Sequence, residues 1–128
     1  MRLFPKDVDT RELSPITLAF VGDGVYELMV REYLASEANR PPNALHKMAV
    51  SMVRAEAQAK ALDYIFPLLT DKEVAVYKRG RNAHTARHSD DYHKATGLEA
   101  LFGYLYLNDQ LERIQEFFNI IIEKKENV

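Results

Sequence analysis

Two segments of this chain are apolar along nearly their whole length, yet each contains one charged residue, a carboxylate. In Ile16–Tyr26 that residue is Asp23, and in Ala95–Asn108 it is Glu99. A helix that is hydrophobic on nearly all sides belongs in a protein interior. An ionised carboxylate in such surroundings needs a cation, a hydrogen-bond network or a cleft. We therefore expect two buried helices whose carboxylates share one site.

Glycine is concentrated in the same two segments. Four of the five glycines of the chain lie there: Gly22, Gly24, Gly97 and Gly103. Each costs about 1 kcal/mol relative to alanine inside a helix. Close approach of two helix backbones, or of a backbone to a ligand, is the usual reason for such glycines. The alternative is that the glycines only allow packing, with Asp23 paired to a basic side chain.

Composition indicates one globular domain, residues 1–128. The hydrophobic fraction is 47%, and 28% of the residues are charged, which is enough to build a core with a charged surface. No segment approaches the ~18 uninterrupted apolar residues of a membrane span. The N-terminal residues do not resemble a signal peptide, and the chain has no cysteine. We expect a cytoplasmic protein without disulfides or a membrane partner.

The first helix is predicted from its start signal. Ser14–Pro15 supplies an N-cap and a proline at the first helical position, and apolar residues continue to about Leu34. Asp23, Glu27 and Arg31 recur every four residues and should form one polar stripe. We expect Asp23 at the buried end of that stripe.

The rest of the chain also predicts helices, without convincing strand alternation. Asn43 is placed to cap a second helix, and Thr70 with Glu73 forms a capping-box pattern that opens a shorter helix ending near Gly80. Further helices are predicted at 55–65, from about His93 to 108, and from 111 to 121. The predicted fold class is all-α, with five to seven helices.

The residue types present restrict the chemistry. The chain has no cysteine nucleophile, no Gly-x-Ser-x-Gly segment and no phosphate-cradling glycine loop. Its four histidines lack a metal-binding spacing, so zinc is not expected. Carboxylates on facing helices suit Mg²⁺, which prefers oxygen ligands and bridges to substrate phosphates. These residues predict a metal-dependent nuclease or phosphohydrolase, with the choice between RNA and DNA open.

A basic segment lies between the two carboxylates. It runs from Lys78 to Lys94 and includes three histidines, and its basic residues are Lys78, Arg79, Arg81, Arg87 and Lys94, of which the first four are the candidate RNA-binding residues. These side chains are candidates for contacts with nucleic-acid phosphates, although the net charge of −2 does not by itself indicate nucleic-acid binding. A solvated loop without a binding role is the alternative.

Several segments resemble one known family. Leu18–Leu28 (LAFVGDGVYEL) resembles the signature of the ribonuclease III family, and Leu98–Leu107 (LEALFGYLYL) resembles its second acidic motif. Arg40–Lys47 and Lys78–Ala83 resemble the helix start and the basic segment between these motifs. The resemblance covers about residues 12–123. In its short length and in these segments, the chain resembles Mini-ribonuclease III, the bacterial branch of the family without a double-stranded RNA-binding domain.

The resemblance implies an all-α ribonuclease III-type endonuclease domain that forms a homodimer. It implies Mg²⁺-dependent cleavage of double-stranded RNA, with Mn²⁺ as a substitute, leaving 5′-phosphate and 3′-hydroxyl ends. The short branch is associated with maturation of the 23S ribosomal RNA precursor, with a ribosomal protein as a candidate helper. Asp23 and Glu99 match the family's acidic positions and are the expected metal ligands and catalytic residues. The basic segment supplies the expected RNA contacts.

The chain departs from the family pattern at three acidic positions. Ala19 and Asn43 stand where full-length relatives have glutamate, and Thr96 stands where they have aspartate. Water or substrate phosphate would then have to complete the coordination of a cation. These changes leave open a second function, a catalytically silent protein that binds structured RNA during ribosome assembly. A helical protein-interaction module is a third alternative, but it does not explain the embedded carboxylates.

Overall fold

The structure is a computed structural model that describes residues 1–83 and 88–127. Within these residues the chain forms six α-helices and no strand, which confirms the prediction of an all-α fold with five to seven helices. The helices are α1 (Pro15–Glu37), α2 (Pro42–Val53), α3 (Ala55–Ile65), α4 (Asp71–Arg81), α5 (Asp90–Leu107) and α6 (Leu111–Glu126). Two single 3₁₀ turns, Thr10–Glu12 and Phe66–Leu68, precede α1 and α4.

Helix α5 lies at the centre of the fold. It packs against α1, α3, α4 and α6, and its side chains at Leu98, Leu101, Phe102 and Leu105 are fully buried. The ring of Phe102 packs edge-on against Tyr26 of α1, with 5.4 Å between ring centroids. The apolar composition of α5 therefore reflects burial within the protein. No helix in the described residues has the length and apolar character needed to cross a membrane.

Local signals begin several helices as predicted. Ser14 Oγ accepts a hydrogen bond from the backbone N–H of Thr17 at 3.1 Å, and α1 starts at Pro15. Thr70 and Glu73 form the predicted capping box at the start of α4. The start of α5 differs by three residues from the prediction, because Ser89 caps the helix and Asp90 is its first residue.

Other helix boundaries differ from prediction. Asn43 does not cap α2, which begins at Pro42 because proline fits the first helical position without a side-chain cap. The Asn43 side chain instead accepts from the backbone N–H of Ala44. Arg54 is extended and separates α2 from α3. Helix α4 ends at Arg81, one residue beyond the end predicted near Gly80, and Gly80 itself packs against α5.

A buried ion pair connects α6 to the start of α4. Arg113 Nε donates to Glu73 Oε2 at 2.9 Å, and Nη2 donates to Glu73 Oε1 at 2.8 Å and to the carbonyl of Leu68 at 2.9 Å. Burial by itself would raise the pKa of Glu73, but the bonds from Arg113 and Thr70 lower it overall. The last helix is thereby fixed against the rest of the bundle.

Candidate functional site

Helices α1 and α5 cross with their backbones in direct contact. A Cβ atom added to Gly22 would overlap the carbonyl oxygen of Glu99, and one added to Gly103 would overlap the carbonyl oxygen of Leu18. A Cβ at Gly97 would lie 2.8 Å from the carbonyl oxygen of Tyr77 on α4. Close backbone approach, as predicted, therefore explains these three glycines.

Gly24 does not fit that prediction. A Cβ atom at this position would have nothing within 4 Å, because Gly24 lies on the exposed side of α1. The spacing of Gly22 and Gly24 shows why, since residues two apart on a helix point in very different directions. Only Gly22 faces α5.

The crossing brings Asp23 and Glu99 together. Asp23 follows Gly22, and Glu99 supplies the carbonyl oxygen that Gly22 contacts. Burial and the charge of Asp23 raise the pKa of Glu99 to about 8, although a hydrogen bond from Gln58 acts in the opposite direction. Because α1 and α5 touch at Gly22 and the charge of Asp23 acts on Glu99, the two carboxylates are neighbours at this crossing. Their catalytic role stays a prediction.

The surroundings of Asp23 differ from prediction in one respect. Asp23 is exposed rather than at a buried end of its stripe, whereas Glu99 is partly buried. The next pair in the stripe forms as expected, with Arg31 Nη2 at 3.0 Å from Glu27 Oε1. Within residues 1–83 and 88–127, neither Asp23 nor Glu99 makes an ion pair with a basic side chain. The alternative of a purely structural Asp23 ion pair is therefore unsupported.

Gln58 is a site residue that sequence reasoning missed. It is 2% exposed, and its Nε2 donates to Glu99 Oε2 at 3.3 Å and to the carbonyl of Val53 at 2.8 Å. The only signal in the sequence is an uncharged polar residue within the alanine-rich 55–62 segment. That signal does not identify a partner on α5, because the contact joins residues far apart in the chain.

The carboxylates of Asp23 and Glu99 fit a divalent cation. Mg²⁺ commonly binds proteins through one or two carboxylates and retains several waters. Glu99 has a raised pKa, so a cation would displace a proton that the pair otherwise holds near neutral pH. In the described part of the chain, no group of three or more His, Cys, Asp or Glu side chains is arranged to hold a metal ion. Water and substrate phosphate would therefore complete the coordination.

The three neutral positions add no carboxylate to this site. Ala19 is buried, and the hydroxyl of Thr96 donates to the carbonyl of Tyr92 in its own helix at 3.0 Å. Asn43 bonds within the first turn of α2. The site therefore carries few negative charges. This fits a cation that is bound partly by the protein and partly by the phosphate of the substrate.

The predicted RNA-binding residues are divided between α4 and the segment that follows it. Lys78 and Arg79 are exposed, whereas Arg81 is half-buried with its guanidinium 5.7 Å from the ring centroid of Tyr77. Arg81 also lines a cavity of about 440 Å³ together with Lys94. Arg87 lies outside the described residues. The basic end of α4 thus packs beside the helix that carries Glu99.

Comparison with known proteins identifies the family. The family model for the Ribonuclease III domain matches residues 16–110, a range that includes Asp23, Glu99 and the basic segment. The chain belongs to the ribonuclease III family. Membership in this family supports the prediction that the chain is an RNA endonuclease. Enzymes of the ribonuclease III family generally require a divalent metal, act on double-stranded RNA and dimerise.

Similar proteins within the ribonuclease III family are of the short type. Mini-ribonuclease 3 of Enterococcus faecalis is 45% identical over 91% of this chain and 93% of its own length. Mini-ribonuclease 3 of Symbiobacterium thermophilum is 48% identical over 81% of this chain and 84% of its own length. A crystal structure of a Fusobacterium nucleatum protein has a TM-score of 0.82 at 32% identity, covering 91% of this chain and 98% of that one. The predicted family and fold are therefore confirmed.

Proposed function

We propose that the chain is a magnesium-dependent endoribonuclease that cleaves double-stranded RNA, with Asp23 and Glu99 as metal ligands and catalytic residues. The observation that carries the proposal is the placement of these two carboxylates together at the glycine crossing of α1 and α5. Mn²⁺ is expected to replace Mg²⁺, because both accept oxygen ligands. The products would carry 5′-phosphate and 3′-hydroxyl ends.

The residues of the site contribute binding and orientation. Asp23 is exposed, so its carboxylate can meet a phosphodiester at the surface, while Glu99 is held from the buried side by Gln58. When bound, a divalent cation polarises the phosphodiester, lowers the pKa of the attacking water and stabilises the leaving oxygen. Glu99 would hold the cation as an ionised carboxylate and would give up its proton to solvent, since its pKa is raised in the absence of metal.

Cleavage assays test this function directly. The wild type should cut an end-labelled duplex RNA in Mg²⁺, and it should leave single-stranded RNA and duplex DNA intact. A chelator should abolish cleavage. Glu99→Gln should lower the rate about a hundredfold or more while retaining RNA binding, because it preserves shape but removes a charged ligand. Unchanged cleavage by a folded Glu99→Gln variant would exclude the assigned role of Glu99.

Lys78, Arg79, Arg81 and Arg87 are the proposed RNA-binding residues. Contacts with phosphate release counterions, so each lost contact should reduce the salt dependence of binding. Arg81→Ala should weaken binding to duplex RNA several-fold and lower the salt slope by about one unit. Lys72→Ala is the matched control, since Lys72 is exposed at the opposite end of α4. Equal salt slopes for wild type and Arg81→Ala in fluorescence anisotropy would remove Arg81 from the contact surface.

The proposed biological substrate is the 23S ribosomal RNA precursor. Similar length to the relatives named Mini-ribonuclease 3 favours RNA processing, and the ribosomal precursor is our proposal for the RNA that is processed. The protein would act in the cytoplasm as a single domain, residues 1–128, with a ribosomal protein as the helper. A transcript that contains the paired ends of the 23S precursor should be cut at a defined position. Random cutting of this transcript and of an unrelated duplex would argue against that substrate.

A homodimer is the proposed form of the enzyme. On α1, Ile16, Phe20, Gly24 and Leu28 recur every four residues, and we call this exposed row the α1 apolar stripe. The side chain of Phe20 is 80% exposed, which is unusual for so large an apolar group. Because ribonuclease III enzymes typically dimerise, a second copy of this chain is the proposed occupant of the stripe.

A catalytically silent RNA-binding assembly factor is the second candidate function. The observation in its favour is the small number of acidic ligands at the site, with no metal-binding group of three in the described residues. This function predicts that the wild type binds duplex RNA but leaves it intact in both Mg²⁺ and Mn²⁺. The cleavage assay therefore separates the two candidates.

A further inference from the structure

Gln58 occupies the corner between α2 and α3, in contact with Glu99. Its amide nitrogen donates to two oxygen atoms, the backbone carbonyl of Val53 at 2.8 Å and Oε2 of Glu99 at 3.3 Å. Because the backbone carbonyl of Val53 can only accept a hydrogen bond, it identifies which end of the amide is the nitrogen. The side chain is 2% exposed, so its orientation is also restricted by packing.

The other end of this amide is not satisfied. Gln58 Oε1 is buried and has no hydrogen-bond partner among the described residues. A buried acceptor without a partner lowers stability, and native proteins rarely contain one without a reason. Leucine or methionine would fill a similar volume without this cost. Packing alone therefore does not explain a glutamine at position 58. A role for the hydrogen bonds that its Nε2 donates explains the residue better.

We infer that Gln58 is a positioning residue that orients the Glu99 carboxylate for a divalent cation. The inference rests on the proposed function, because it takes Glu99 as a metal ligand. The hydrogen bond to Oε2 restricts rotation of the carboxylate, so that Glu99 would hold a cation in a carboxylate orientation set before the cation binds. Groups that hydrogen-bond to metal ligands in this way commonly tune metal affinity.

The small number of carboxylates makes this orientation important. Ala19, Asn43 and Thr96 are neutral, so a cation depends mainly on Asp23 and Glu99 for charged ligands. A freely rotating Glu99 would lose more conformational freedom on binding the cation, and the affinity would fall. The bond from Gln58 removes part of that freedom before the cation binds.

Binding of Mn²⁺ tests the inference without relying on cleavage. Free Mn²⁺ is measured by electron paramagnetic resonance in titrations of the wild type, Gln58→Leu, Glu99→Gln and Ile65→Val. Gln58→Leu should weaken Mn²⁺ binding about tenfold. Ile65→Val is the matched control, because Ile65 is fully buried on the same helix, and its binding should stay within about twofold of wild type.

A parallel thermal unfolding measurement separates positioning from packing. The bond from Gln58 to Val53 is structural, so Gln58→Leu can change stability as well as metal binding. Ile65→Val should lower stability while keeping the hydrogen bond from Gln58 to Glu99, so its Mn²⁺ affinity shows what destabilisation alone does. Gln58→Met, which keeps the unbranched shape, replaces Gln58→Leu if the leucine variant does not fold.

The outcomes distinguish the inference from the function on which it rests. The inference is overturned if Gln58→Leu binds Mn²⁺ as tightly as wild type. It is also overturned if Ile65→Val loses as much Mn²⁺ affinity as Gln58→Leu does. Loss of binding in Glu99→Gln together with unchanged binding in Gln58→Leu overturns the role of Gln58 alone. Wild type that binds no Mn²⁺, or Glu99→Gln that binds it equally well, refutes the metal-site assignment and the inference with it.

Discussion

Glu99, which we propose as a metal ligand, has a carboxyl group whose pKa is raised by the fold. Its carboxylate is partly buried next to that of Asp23, and both features raise its pKa. Keeping the proton relieves repulsion between the two acids, but it also prevents both from binding metal as anions. A divalent cation offers the same relief with a stronger charge, so metal affinity should increase as the pH rises toward 8.

The same pKa shift predicts that Glu99 destabilises the metal-free protein at alkaline pH. The folded state binds this proton more tightly than the unfolded state, so the stabilising contribution is full at low pH and is lost as the pH rises to about 8. Glu99→Gln cannot ionise and should lack this loss. At pH 8 in chelator we expect the variant to be more stable than wild type by on the order of 1 to 2 kcal/mol, after allowance for solvent screening.

Urea unfolding at pH 5 and pH 8 measures this effect. The stability advantage of Glu99→Gln should be larger at pH 8 than at pH 5, and added Mg²⁺ should stabilise the wild type but not the variant. An advantage that is the same at both pH values would show that Glu99 ionises normally in the folded protein.

At the residue scale the sequence predicted the two carboxylates but not their partner. Asp23 and Glu99 could be recognised because each is the only charged group in its segment. Gln58 could not, because its importance depends on a contact between α3 and α5. The exposure of Asp23 was also predicted wrongly, since the stripe pattern gives the face of a helix but not what covers that face.

At the scale of helices, the crossing of α1 and α5 allows a matched pair of substitutions. Gly22→Ala would force its new Cβ into the backbone of Glu99, and we expect a loss of at least about 2 kcal/mol of stability together with reduced cleavage. Gly24→Ala meets no atom of its own chain within 4 Å, so within one protomer it should be neutral or stabilise the helix by up to about 1 kcal/mol.

Thermal unfolding and cleavage of duplex RNA compare the two variants at equal protein concentration. If Gly22→Ala and Gly24→Ala have similar unfolding temperatures and cleavage rates, α1 and α5 can move apart without loss of stability. Circular dichroism should confirm that both variants remain helical, so that a loss of cleavage in Gly22→Ala can be attributed to displacement of the two carboxylates.

Helix boundaries were predictable where the signal is local. The caps at Ser14 and Thr70 involve residues within one turn, and both were confirmed. The helix at 55–65 was predicted separately from the second helix, but the bond from Gln58 to Val53 across the break at Arg54 was not, because it depends on how α2 and α3 pack. The end of α4 was predicted to within one residue of Gly80, although the small size of Gly80 serves contact with α5 rather than a turn.

At the scale of the whole molecule, the α1 apolar stripe predicts the state of association. Phe20→Glu places a charge on the most exposed residue of the stripe and should convert a dimer to a monomer. Val50→Glu is the control, since Val50 is an exposed apolar residue of α2. Sedimentation velocity distinguishes the species. A monomeric wild type, or a dimeric Phe20→Glu variant, would contradict the proposed interface.

The glycine contacts between α1 and α5 also limit which genetic changes can rescue the protein. Gly22 and Gly103 contact main-chain atoms of the opposite helix, namely those of Glu99 and Leu18. An oversized side chain at either glycine could not be accommodated by shrinking a neighbour, because every amino acid has the same backbone. A search for suppressors of Gly22→Ala should therefore recover reversion at the same codon rather than a compensating change elsewhere in the crossing.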